Sequence, residues 1–173
     1  MFIPLHDTNP LKRIHFQYVT VALILLNVAV YVIFETGWVI PLDDENTAAF
    51  AVIPAKLMAG GTDPVAVFAN GAFVPERFTL ISYMFLHGSW IHLLGNLVFL
   101  LIFGLPAERV MGPWRFLLLF LLGGAVANLA AVLLIGAPHR LVIGASGAVS
   151  AVIGAYLALF PRARLGVVLP LGL

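Results

Sequence analysis

Two short strings set polar side chains inside otherwise apolar stretches. They are His87-Gly88-Ser89-Trp90-Ile91-His92-Leu93-Leu94-Gly95-Asn96 and Gly144-Ala145-Ser146-Gly147. Polar groups in hydrocarbon are costly unless paired, so ionisable residues there are functional candidates by default. Ser89 reads as an N-cap. A helix starting there puts His92 and Asn96 four residues apart on one face, together with Ser89. At a rise of about 1.5 Å per residue they sit one to two turns from that helix end. The competing reading is that His92 and Asn96 cross-link helices by hydrogen bonds. His87 precedes His92 by five residues, so helical spacing turns it elsewhere, near the interface. That spacing, with no carboxylate nearby in sequence, does not suit a metal site.

Ser146 opens the last long apolar run, Gly144 to Phe160, and length decides where it sits. Counted back from Arg162 and Arg164, that run reaches only about 25 Å, short of a hydrocarbon core of about 30 Å. The hydroxyl is therefore expected below the membrane surface, in the first turn, beside helix N–H groups that favour developing negative charge. Gly144, Ala145 and Gly147 leave room for a backbone or a substrate. Ser146, Ser150 and Gly154 also recur at every fourth position, as in helix–helix contacts. Both readings can hold if the stripe packs deep in the bundle and only Ser146 lies at its open end. Asn27 and Asn128 are expected to bond between helices, and Gly123, Ala127 and Ala131 to form a packing face. His139 reads as a solvated loop residue; His6 and His15 are uninformative. Glu108 and Arg109, near Trp114 and Arg115, either pin a turn or form a solvated charged one.

The elements that must hold these residues are membrane helices. Of 173 residues 62% are hydrophobic and 10% charged, against roughly 25% charged in soluble domains. Mean hydropathy is +1.07. Such a chain is neither a soluble single domain nor disordered. A net charge of +1 offers no basic patch for nucleic acid. Cysteine is absent, which excludes disulfides and thiolate metal sites. No metal or organic cofactor is implied. The expected fold is an all-α, polytopic transmembrane helix bundle forming one membrane domain over 1–173. Four spans begin near Tyr18, Trp90, Trp114 and Gly144. Part of a fifth begins at Leu165, and the sequence is expected to be incomplete at its C-terminus.

No cleavage site follows the first span, so it is not read as a signal peptide. Lys and Arg counts of six against three favour a cytoplasmic N-terminus, residues 1–15, in a cell (inner) membrane. Residues 36–78 then form a long outer loop. Within it Phe50, Ile53 and Leu57 recur at helical spacing, which predicts a short amphipathic helix at the interface.

Taken together, these residues resemble the rhomboid family of intramembrane serine proteases. The resemblance rests on His87, His92 and Asn96, on the turn region Glu108 to Phe116, and on Gly144-Ala145-Ser146-Gly147 followed by Ala148, Gly154 and Ala155. It implies a six-helix core in which Ser146 attacks the scissile carbonyl of a transmembrane substrate. It makes His92 and Asn96 the side-chain donors of an oxyanion hole, beside the Ser146 N–H, with His87, Gly144 and Gly147 in support. It places the general base, a histidine, on a sixth helix that this sequence does not contain. The implied partners are transmembrane protein substrates and the lipid bilayer. An alternative is a catalytically inactive relative that binds membrane clients, though retention of the serine argues against it. A channel or transporter is disfavoured, because the polar residues cluster at one depth.

Overall fold

A computed structural model of the protein describes residues 16–37, 47, 49–58, 65–66, 73–74, 76–135 and 141–163. Four helices dominate: α1 (Tyr18–Thr36), α2 (Trp90–Met111), α3 (Pro113–Ile135) and α4 (Ser146–Leu159). Among the described residues three of them, α1, α2 and α3, are long and apolar enough to cross a bilayer. α4 has 14 residues, about 21 Å of helix, so it falls short of a full span. The expected segment from Leu165 lies outside the described residues, as does 1–15. The only strands among the described residues form a minimal antiparallel ribbon, Val65–Ala66 against Phe73–Val74.

Each helix buries one stripe. On α1 it is Val19, Thr20, Leu23, Asn27, Tyr31 and Phe34, which from Thr20 onward recur every three or four residues as helical periodicity requires. The opposite side, with Leu25 and Leu26, is exposed, as befits a lipid-facing surface. Leu23, Met84, Leu100, Phe116, Phe120 and Val152 form the common core. α2 widens into a π-turn over Leu100–Gly104, just before Pro106. Proline offers no N–H to the carbonyl four residues back, and the wider turn absorbs that break. A Cβ on Gly104 would lie 3.1 Å from Thr20 Cγ2 and 3.2 Å from Phe116 Cζ, so α1, α2 and α3 meet there.

The seam between α3 and α4 fixes the orientation of Ser146, and it departs from expectation. Gly123 abuts Ala151, Gly124 abuts Met84, and a Cβ on Gly147 would lie 2.8 Å from Ala127 Cβ. Backbones this close need small residues. The packed face of α4 is therefore Gly147, Ala148 and Ala151. Ser146, Ser150 and Gly154 lie on an exposed face, and a Cβ at Gly154 would meet nothing within 4 Å. The Ser150 hydroxyl donates to the Ser146 carbonyl on its own helix at 2.8 Å.

Three further expectations are corrected. Asn27 and Asn128 make no interhelical hydrogen bond. Asn27 Nδ2 donates to the Leu23 carbonyl one turn back, at 2.7 Å. Both polar atoms of buried Asn128 lack a protein partner. Phe50, Ile53 and Leu57 do not share a helix. Val52 is extended and pairs with Val142 through two backbone hydrogen bonds, 3.1 and 2.9 Å, and a new turn starts at Pro54, a residue suited to a first helical position. Phe50 meets the Phe34 ring edge-on, and Leu57 packs on the core. Finally, Glu108 does not belong to a solvated charged turn: it is fully buried, and the neighbouring Arg109 Nε is buried without a partner. Its carboxylate accepts the Val19 N–H at 3.0 Å and the Thr20 N–H and hydroxyl at 2.7 Å each. It caps the N-terminus of α1, where free N–H groups and the helix dipole favour a negative charge.

Candidate active site

α2 begins where the sequence predicts. Ser89 is extended, and its hydroxyl accepts the His92 N–H at 3.2 Å. That cap sets the phase of the helix and hence the shared face of His92 and Asn96. Asn96 is buried, and its Nδ2 donates to the His92 carbonyl at 3.2 Å. An amide nitrogen carries two hydrogens, so one remains for another acceptor.

The approach to α4 is held by Tyr83, a residue the motif reading does not single out. Its carbonyl accepts the Gly144 N–H at 2.8 Å, and its hydroxyl donates to the Gly124 carbonyl at 2.7 Å. It thus fastens the chain before Ser146 to α3. Gly144 has φ +110, a conformation that L side chains rarely adopt. A Cβ there would lie 2.6 Å from both Cε1 and Nε2 of His92. The imidazole edge of His92 therefore rests on the Gly144 backbone, separated from Ser146 by Ala145 alone. Ser146 is the first residue of α4 and is exposed. Helix geometry leaves the first N–H groups of α4 without intrahelical acceptors. A hydroxyl, free backbone N–H groups and the His92 imidazole edge thus lie at the blunt end of one short helix, with Asn96 one turn along α2 from His92.

Replacing Gly144 with alanine is expected to disturb this arrangement twice over. The backbone conformation costs a non-glycine residue about 1–3 kcal/mol, and the methyl displaces His92. Misplacement of about 1 Å can cost roughly 10²-fold in rate. Cleavage assays beside a thermal unfolding curve check this: a parent-like rate would show that the His92 contact is irrelevant.

His87 is where the structure departs most from spacing. It does not turn away from His92. The two rings meet edge-on, centroids 5.1 Å apart at 66°. Leu86 is extended, so the chain before α2 folds back instead of continuing helical rotation. His87 is buried, with Nδ1 3.4 Å from the Phe85 carbonyl and Nε2 without a partner. Burial, then the neighbouring His92, push its pKa down to about 4, against an opposing pull from the Phe85 carbonyl. The unfolded chain, with an ordinary value of 6.5, binds the proton more readily. Stability from neutral His87 is therefore complete above about pH 6.5 and lost as pH falls toward about 4. Thermal midpoints across that range should drop for the parent and drop less for His87→Phe.

Among the described residues no three His, Cys, Asp or Glu side chains converge as metal ligands. His6, His15 and His139 lie outside the described residues.

Comparison with known proteins gives the same family as the motifs. The family model described as the rhomboid domain matches residues 75–172, more than half of the chain. RHOMBOID-like protein 5 of Arabidopsis thaliana is 35% identical over 82 residues, 47% of this chain and 26% of its own length. Rhomboid-related protein 2 of Mus musculus is 36% identical over 81 residues, 47% of this chain and 26% of its own length. A Bacillus subtilis (strain 168) protein that carries a rhomboid protease name, YdcA, is 32% identical over 109 residues, 62% of this chain and 54% of its own length. The chain thus spans about a quarter of the first two relatives and about half of the third. No solved structure matches it significantly. With α2, α3 and α4 all inside the matched region, the chain belongs to the rhomboid family.

Proposed function

We propose that the protein is an intramembrane serine endopeptidase that hydrolyses peptide bonds in or near transmembrane segments of membrane-protein substrates. The observation that carries this reading is the exposed Ser146 at the free end of a short helix, with the His92 imidazole edge laid against Gly144. In this reading the Ser146 Oγ attacks the scissile carbonyl and its proton passes to a base. The carbonyl oxygen becomes an oxyanion. His92, Asn96 and the Ser146 N–H donate to it, and donors fixed on rigid helices need no reorganisation as charge develops. Collapse releases the amine half with the transferred proton. Water then attacks the acyl-serine ester by the same route and restores the hydroxyl.

The base is a histidine supplied by a sixth helix, as the rhomboid resemblance implies, from outside the residues described. The exposed Ser146, Ser150 and Gly154 face of α4 is consistent with such a helix lying against it. His87, Gly144 and Gly147 support the site. The protein is a multi-pass membrane protein with a cytoplasmic N-terminus in a cell membrane, partnered by lipid and by transmembrane substrates.

The test is cleavage of a single-span substrate in detergent by the full-length protein. Ser146→Ala should lose at least about 10⁴-fold in rate, since a nucleophile removed from a working triad costs of that order or more. Undiminished cleavage by Ser146→Ala would refute the proposal.

A further inference from the structure

We propose that His87 is a positioning residue that holds the imidazole plane of His92 against Gly144. The inference rests on the reading of His92 as an oxyanion donor. Three observations carry it. First, no hydrogen bond to the His92 ring is found among the described residues; its backbone N–H and carbonyl are engaged, but the imidazole is held by packing. Second, two neighbours wall the ring. One is the Gly144 backbone, too close to admit a Cβ. The other is the His87 ring, edge-on at 5.1 Å. Third, the His87 wall is itself fixed. It is 4% exposed and tethered by Nδ1 to the Phe85 carbonyl.

A donor's value depends on its aim at the developing oxyanion. An imidazole free to rotate about its Cβ bond spends part of its time pointing away. Removing one wall should therefore lower kcat and leave KM unchanged, because His87 touches no substrate in this scheme. Beside His87 lies a small cavity of about 50 Å³ bounded by Val30, Tyr31, Phe34, Leu86 and Ile143. It gives room for a phenylalanine ring at position 87. That ring would restore the planar wall and remove the unpartnered Nε2, at the loss of the tether to Phe85.

The experiment is a double-mutant cycle in the full-length protein, read as kcat and KM on a single-span substrate with thermal midpoints alongside. His87→Ala should lower kcat about tenfold or more in the parent, with His87→Phe recovering most of that loss. In a His92→Ala background His87→Ala should have no further effect, since there is no ring left to aim. An equal loss in both backgrounds would overturn the proposal and make His87 a purely structural residue. So would His87→Phe as slow as His87→Ala. If His87→Ala does not fold, His87→Leu against His87→Phe, both in the parent and in the His92→Ala background, decides the matter: equal rates overturn it. Failure of the underlying reading is distinguishable. There Ser146→Ala retains activity, or His92→Ala cleaves like the parent while Ser146→Ala is dead.

Discussion

Truncating Asn96 to alanine is expected to slow peptide hydrolysis by about 10²–10³ in kcat, the usual loss when one oxyanion donor is removed. The fold should survive. Among the described residues, the one hydrogen bond that Asn96 makes is to the His92 carbonyl at 3.2 Å, within its own helix. That carbonyl remains an ordinary backbone acceptor without it. What disappears is the second amide hydrogen. His92→Ala should cost a similar factor, because it removes the ring lying on Gly144. Asn96→Asp makes the sharper comparison: a carboxylate can only accept, and its charge repels the oxyanion, so its rate should fall at least as far. Steady-state kcat with an unchanged thermal midpoint checks the set. Loss of folding in Asn96→Ala or His92→Ala, with no separable effect on rate, would return both residues to the helix cross-linking role.

The largest expected effect on stability sits at the other end of the bundle. Glu108→Ala should destabilise the protein by roughly 3–5 kcal/mol, in the range for breaking a buried charged partner. Glu108 is fully buried and accepts three hydrogen bonds from Val19 and Thr20. Alanine would leave the first N–H groups of α1 unsatisfied in an apolar setting and open a cavity beside them. Glu108→Gln keeps one acceptor oxygen and loses the charge that complements the helix dipole, so it should fall between alanine and the parent. Equilibrium unfolding in mild detergent provides the comparison. Equal stability of Glu108→Ala and the parent would mean that the cap contributes nothing. Since the site is far along α2 from Glu108, residual activity per folded molecule should be little changed.

Local pattern reveals the parts of this protein that local physics controls. Ser89 announces the start of α2, and four-residue spacing then places His92 and Asn96 together, as found. Counting apolar residues back from Arg162 is enough to make α4 short. What local pattern does not reveal depends on partners distant in sequence. α4 carries two stripes of small residues: Ser146, Ser150 and Gly154, and beside it Gly147 and Ala151. Both have a period of four, and only the presence of Gly123 and Ala127 on α3 selects the second. Glu108 caps a helix 88 positions away, so no neighbour in sequence hints at its partner. His87 eludes helical spacing because the helix has not yet begun at that point. Val52 breaks the expected amphipathic helix because a strand-like partner, Val142, waits 90 residues on. Tyr83 carries no motif at all, and its work is visible only once its carbonyl and hydroxyl are seen fastening Gly144 and Gly124.

The most direct test of the central claim is covalent. Full-length protein in detergent is treated with a serine-directed fluorophosphonate and digested, and the modified peptide is located by mass spectrometry. The account predicts a single adduct on Ser146, absent in Ser146→Ala and formed more slowly in Asn96→Ala. An adduct on Ser150 or Ser89, or equal labelling of Ser146→Ala, would contradict it.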